Sequence, residues 1–281
     1  MTAAGDRWRA MVEAEEQQTR GVRDPSWDLS GDFWRPLAAF FRDDPRREGD
    51  PVVGALGADL GREDVLLDIG AGGGRYALPL ALRVREVIAV EPSESMRAAL
   101  TEQAAESGIT NVRVVESRWE DAPKLEADAA FASHVTYTAR EIEDFLLRMS
   151  RAARRWAAVV VFADPPQFAL GAFWPLVHGQ ERLRLPCLRE LLDVLWSLDI
   201  YPDVTMLPPV PVPAVGAPED AHDRLRYRLF VTPGTAADER LATAMERLLV
   251  EDDGKLVLRD RPLHRPAVVR WATGGQELSA R

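Results

Sequence analysis

The chain has 281 residues, enough for one large α/β domain with additions or for two small domains. Its formal net charge of −10 argues against a nucleic-acid polyanion as the main partner, although arginine is plentiful and only Lys124 and Lys255 are lysines. Cys187 is the sole cysteine, so no internal disulfide forms, and neither a signal-like leader nor a run of 18 apolar residues is seen; a soluble, cytoplasmic protein without membrane contact is expected, of no readable oligomeric state.

Residues 1–20 are polar and helix-prone, and are expected to be loosely held. Residues 24–44 carry Trp27, Phe33, Trp34, Phe40 and Phe41, so one or two helices packed on the main domain are predicted there. Residues 1–60 are thus read as an N-terminal helical segment, ending in a short helix at PVVGALGADL, and residues 61–281 as the main domain. In it β and α signals alternate. VLLDI (65–69), EVIAVE (86–91), NVRVVE (111–116), ADAAFAS (127–133) and WAAVVVFA (156–163) read as strands. Between them, Ser93 caps a helix that Gly108 stops. Ile142, Phe145, Leu146 and Met149 mark one face of another helix. Such alternation makes a parallel sheet with right-handed crossovers.

After residue 164 the rhythm changes. A helix around 188–196 and a strand at DVTML (203–207) precede PPVPVPAVGAP, which breaks regular structure. Helical stretches follow near 218–229 and 236–250, and RPAVVRWAT (265–273) can close the sheet. Residues 208–264 are therefore expected to form an inserted cap. Its apolar stripe at 241, 245, 248 and 249 is expected to bury on the C-terminal edge of the sheet.

The turn DIGAGGGR carries the chemistry. A dinucleotide turn needs G-x-G-x-x-G, but the third glycine position is occupied by Arg75; the pattern is Gly70-x-Gly72-x-Gly74. Asp68, two residues earlier, can meet an ammonium group, which S-adenosylmethionine has on its methionine moiety and a dinucleotide lacks near its pyrophosphate. Glu91, 21 residues after Gly70, can take both ribose hydroxyls of either cofactor.

LLDIGAGGGRYALPLA, VIAVEPSESM and SHVTYTAREIEDFLLRMSRAARR resemble blocks of the class I S-adenosylmethionine-dependent methyltransferases, over roughly residues 60–165. The resemblance implies a Rossmann-like, doubly wound, seven-stranded α/β sheet of order 3-2-1-4-5-7-6 with the last strand antiparallel. It places Asp68 and the turn Gly70, Ala71, Gly72 and Gly74 at the methionine end, Glu91 on the ribose, Pro92 and Met96 about the adenine, and Ser133 at the end of strand four. Arg118 stands where the family often has an acid for the adenine amine. Arginine cannot accept that bond, so Glu120, Asp121 or backbone around Trp119 is expected to replace it.

His134 and Tyr137 follow strand four and are the candidate catalytic residues, His134 as a general base. FADPPQF is read as a loop whose prolines end a strand. Four scattered histidines and one cysteine assemble no metal site. His178 is a possible pocket residue, and Arg42, Arg46 and Arg47 a solvated face or anion site. The expected activity is methyl transfer to a small-molecule acceptor, nucleic acid being disfavoured. The rival readings are a catalytically silent binding protein and a nucleotide-dependent oxidoreductase.

Overall fold

A computed structural model describes residues 1–24 and 32–274, so Trp27 lies outside the described residues. Seven strands form the central sheet: β1 (Val65–Ile69), β2 (Glu86–Val90), β3 (Val112–Val115), β4 (Ala127–Ser133), β5 (Ala153–Phe162), β6 (Asp203–Met206) and, last in the chain, β11 (Pro266–Ala272). Their order is β3-β2-β1-β4-β5-β11-β6. All pairs are parallel except those of β11, which runs antiparallel to β5 and β6. The predicted seven-stranded order and its reversed last strand are therefore met.

The sheet is covered on both faces, which is why its inner strands are continuous apolar runs and not alternating ones. β1 is buried at all five positions. Leu67 and Ile69 face α5 (Ile142–Ala152) and α7 (Leu188–Ser197), while Leu66 faces α2 (Pro51–Gly57), α3 (Ala77–Ala81) and α4 (Glu94–Glu106). Local chemistry sets the helix starts. Asp50 accepts from the backbone of Val52 and Val53 with Pro51 in the first turn of α2, and Ser93 accepts from Met96 N at the start of α4.

The N-terminus departs from expectation. Residues Ala3–Val22 form α1, which packs on α5 and α7 and is not loosely held. Trp8 is fully buried there and donates its indole N–H to Ala139 O at 2.8 Å. Conversely, the aromatic segment is not built of α-helices: from Asp32 to Asp50 the only helical stretch is a single 3-10 turn, Ala38–Phe41. The carboxylate of Asp32 fixes this strap by accepting from Ser93 Oγ and Ser95 N, and these bonds hold its pKa down to about 2 against the raising effect of burial.

Between β6 and β11 the chain leaves the sheet and returns to it. A stem of β7 (Val210–Pro211) and β10 (Leu263–His264) pairs antiparallel. Above it lie α8 (Pro218–Leu229), α9 (Ala236–Leu248) and a hairpin of β8 (Leu249–Asp252) and β9 (Lys255–Leu258). The stripe of α9 does not rest on the sheet edge. It buries against α6 (Phe173–His178): Phe173, Trp174 and Val177 pack with Leu225, Leu229, Leu241 and Leu249. About 50 residues give little core of their own, and α6 supplies the missing apolar surface.

Candidate active site

The site sits at the C-terminal ends of β1, β2 and β4, where open α/β sheets hold ligands. Leaving β1, the chain turns through Gly70, Gly72 and Gly74, all with positive φ. The turn is tight on both sides: a side chain at Gly70 would meet Val135 at 2.5 Å, and one at Gly73 would meet Phe41 O at 3.1 Å. The strap of residues 32–50 thus crosses directly over the glycine turn. Ala71 is buried inside the turn.

Two carboxylates face this turn, in different states. Glu91 is already engaged: Oε2 accepts from Gly72 N and Oε1 from Ser93 N, both at 2.8 Å. It clamps the turn to the start of α4 and keeps one lone pair on each oxygen for a diol. Burial raises its pKa, and those two backbone bonds oppose the rise. Asp68 is 2% exposed and accepts no hydrogen bond from the described residues. Burial pushes its pKa well above the usual carboxylate value, and repulsion from Glu91 adds to this. A buried carboxylate without a donor is costly unless a cation comes to it. The ammonium of S-adenosylmethionine is such a cation, so the donor set fits that cofactor.

The other expected cofactor residues fall into two groups. Met96 is buried beside Phe41 and lies 4.0 Å from where a Gly72 side chain would stand. Pro92 is exposed and lends its carbonyl to Arg97 at 2.7 Å. Ser133, next to Gly70 across the β1–β4 ladder, has a buried hydroxyl with no hydrogen-bond partner of standard geometry, near Tyr76. The residues after β3 turn elsewhere. Arg118 and Glu120 are exposed and pair loosely with each other at 3.7 Å. The indole of Trp119 enters the core and donates to Phe145 O at 3.2 Å, which leaves only its backbone for a ligand.

Beyond β4 the chain makes a strained step. His134 has φ +57, a left-handed conformation uncommon outside glycine, and its N–H bonds Val160 O at 2.9 Å. That step aims the imidazole at Tyr137: Nδ1 and the phenol oxygen are 3.0 Å apart, and the phenol oxygen also accepts from Phe162 N at 2.8 Å. Burial, then the charges of Arg75 and His264, depress the His134 pKa to about 3, and burial raises that of Tyr137. Both are neutral at physiological pH. The His134, Phe162 and His264 rings stack in series, with centroids 4.1 and 4.2 Å apart. Sequence patterns gave no signal for this stack, because its third ring comes from the cap stem.

His178 is spent on structure: Nε2 meets Leu229 O at 2.9 Å and the ring leans on Trp174, tying α6 to the cap. Arg42 pairs with Glu102 and Glu106, Arg47 with Asp50, and Arg46 donates to Ser107 O, so none of the three is a free anion site. No helix among the described residues is long and apolar enough to cross a membrane.

Comparison with known proteins agrees with this geometry. Residues 66–155 match the family model described as a methyltransferase domain. The tRNA/tmRNA (uracil-C(5))-methyltransferase of Pseudomonas putida W619 is 32% identical over 106 residues, and that of Pseudomonas paraeruginosa PA7 is 33% identical over the same length. The match takes in 38% of this chain and spans about a quarter of each relative, 26%. Among solved structures, a putative methyltransferase from Bacillus halodurans superposes with a TM-score of 0.55 at 13% identity, covering 79% of this chain and 97% of that one. The YcgJ protein from Bacillus subtilis gives 0.53 at 16%, covering 80% and 98%. The names of the relatives overturn the expectation of a small-molecule acceptor with nucleic acid disfavoured: net charge reports on the whole surface, whereas an acceptor is met by one cleft. The match to a methyltransferase domain falls on the residues that build the glycine turn, Glu91 and the buried Asp68, which has no donor among the described residues, so residues 66–155 are a methyltransferase domain within a β3-β2-β1-β4-β5-β11-β6 sheet.

Proposed function

We propose that this chain transfers the methyl group of S-adenosylmethionine to a base in RNA. The observation that carries the transfer is Asp68, a buried carboxylate without a donor among the described residues, beside a glycine turn held by Glu91. The acceptor class rests on the names of the relatives, and the stacked rings of His134 and Phe162 suit a planar heterocycle.

When bound, the sulfonium supplies an electrophilic methyl group, so the protein's task is alignment and exclusion of water. Asp68 would take the ammonium group, Glu91 the ribose diol, and Met96 the adenine face. The strap at Asp32–Phe41 shields this half of the cleft from solvent. His134 acts as a donor, not as the general base that its position first suggests. The phenol oxygen of Tyr137 receives Phe162 N–H, so its own proton goes to His134 Nδ1. The imidazole proton then sits on Nε2, where it can hold an acceptor carbonyl in place.

Two measurements test the reading. Calorimetric titration should give micromolar affinity for S-adenosylhomocysteine and far weaker affinity for NAD(H). Incubation with total tRNA and methyl-labelled cofactor, followed by nucleoside mass spectrometry, should show one labelled base. Cofactor binding without a labelled nucleoside would reject RNA as the acceptor; comparable affinity for a nicotinamide dinucleotide would reject the cofactor assignment.

A further inference from the structure

Tyr227 stands on the side of its helix that the cap does not use. Ala221, Leu225 and Leu229, at i, i+4 and i+8, are fully buried and make the inner face of α8, and the two leucines pack on α6. Tyr227 is two residues from each leucine, so it falls about 160° away from both around the helix. It lies outside the apolar cluster of the cap and meets the strap instead. Its phenol donates to Phe33 O at 2.5 Å, and the two rings stack with centroids 5.3 Å apart. Burial, then the charge of Asp32, raises the phenol pKa, so the donor keeps its proton.

This bond falls where the strap has little structure of its own. From Asp32 to Asp50 the chain has one 3-10 turn and no strand, so no ladder satisfies the Phe33 carbonyl. Trp34 is 40% exposed, and Arg35 and Pro36 beside it are exposed too. The other flank of the strap rests on the cofactor half. Edge-to-face contacts run from Phe33 to Trp34 at 5.2 Å and from Trp34 to Phe41 at 5.6 Å. The Phe41 backbone lies against Gly73, and its side chain packs with Ala38 on Met96 and Ala99. Asp32 holds Ser93 Oγ, and the N–H of the same serine is held by Glu91. The strap therefore touches the glycine turn and Met96 on one side and the cap on the other.

We infer that Tyr227 is a positioning residue for the cofactor: through Phe33 it keeps the strap closed over the glycine turn, and so sets how fast S-adenosylmethionine enters and S-adenosylhomocysteine leaves. The inference rests on the methyl-transfer reading for the identity of the ligand. The linkage from Tyr227 to the strap does not depend on it. A closed strap obstructs entry and exit alike, so loosening it speeds both and moves the affinity little. A residue that merely shaped the site would weaken affinity without speeding association.

The test is stopped-flow binding of S-adenosylhomocysteine to the full chain, beside hydrogen exchange of the strap amides. Tyr227→Phe removes the hydrogen bond and keeps the ring stack. Its association and dissociation rates should both rise roughly three- to tenfold, the range for one neutral hydrogen bond, with Kd within about twofold of the native value. The amides of residues 33–41 should exchange faster by a similar factor. Tyr227→Ala, which removes the stack as well, should go further in all three. Tyr201→Phe, at an exposed tyrosine before β6, should change none of them. Rates that stay within about twofold of native in Tyr227→Phe, or faster release with unchanged association, overturn the inference. A native chain that fails to bind S-adenosylhomocysteine strikes instead at the methyl-transfer reading. Amide exchange still reports on Tyr227 in that case, and strap protection equal in the native chain and Tyr227→Phe overturns the inference by itself.

Discussion

Asp68→Asn should stabilise the cofactor-free protein and cripple cofactor binding. The substitution keeps the shape of the side chain and removes its charge. In the native chain that side chain is 2% exposed, without a donor among the described residues, and repelled by Glu91. A buried polar group left unsatisfied costs about 1–3 kcal/mol, and more when charged. The asparagine amide remains unsatisfied, so only the charged part of the penalty is recovered, on the order of 1–2 kcal/mol at pH 8. For a chain of this size that is a rise of roughly 2–8 °C in Tm. The sign follows from linkage: the folded-state pKa of Asp68 is raised, so native stability is greatest near the ordinary carboxylate value and is lost as pH rises through the raised one. The gap between variant and native protein should therefore be wide at pH 8 and close near pH 4. Loss of a charge-assisted bond to the ammonium group is worth ~1.5–3 kcal/mol, a roughly ten- to hundredfold weaker Kd for S-adenosylhomocysteine. Thermal unfolding across pH and calorimetric titration read the two effects. A variant less stable than the native chain at pH 8, or one that binds the cofactor normally, would refute the reasoning.

Glu91→Ala should weaken the cofactor by at least ~tenfold, because it removes a diol acceptor and also frees Gly72 N and Ser93 N from their clamp; an unchanged Kd by titration would mean another group holds the ribose. Tyr137→Phe strands Phe162 N–H and His134 Nδ1 together, so a loss of about 1–3 kcal/mol in denaturant unfolding is expected, with a fall in turnover. Since His134 stays neutral down to about pH 3 in the fold, its contribution to stability is full above pH 6.5 and is lost as pH falls from 6.5 to about 3, and the rate profile should lack a His134 inflection near pH 6.5. Trp8→Ala should cost ~3–5 kcal/mol, read by chemical unfolding, a loss that a dangling N-terminal helix would not show.

The cofactor half was legible because its signals are local. The five β/α strands, the Ser93 cap and the glycine turn each lie within a few consecutive residues, and β1 and β4 begin and end where the apolar runs do. What escaped was set by distance. Trp8 sits in a polar-looking helix, and nothing nearby in sequence announces Ala139 O as its partner, 131 residues on. The β8–β9 hairpin has a local signal of its own: Asp253 and Gly254 both take positive φ, the signature of a two-residue turn that the Asp-Gly pair spells out. The aromatic segment reads as helical from composition, yet Asp32 ties it to Ser93 and Ser95, and the chain from there runs through turns and one 3-10 turn to bring Phe41 onto the glycine turn. At the site, Arg118 and Glu120 were chosen by alignment to a family habit. Their exposure follows from Trp119, whose indole turns the loop by filling the core.

The stem of the cap has a consequence for how the protein can be altered. Because β7 and β10 bring the two ends of residues 208–264 side by side, everything above them is attached to the sheet at one point, like a tool in a socket. The socket lies between β6 and β11, on the side of the sheet away from β2 and β3, so an exchange of the tool leaves the order of strands around the glycine turn untouched. The exchange has one condition. Phe173, Trp174 and Val177 belong to the apolar centre of the cap although they precede it in the chain by some thirty residues, so a transplanted cap must bring its own version of α6 or expose three large side chains. Within this architecture the unit of substitution is therefore two separate stretches of sequence that share one core, and a chimera cut only at the stem should aggregate where one cut at both places should fold.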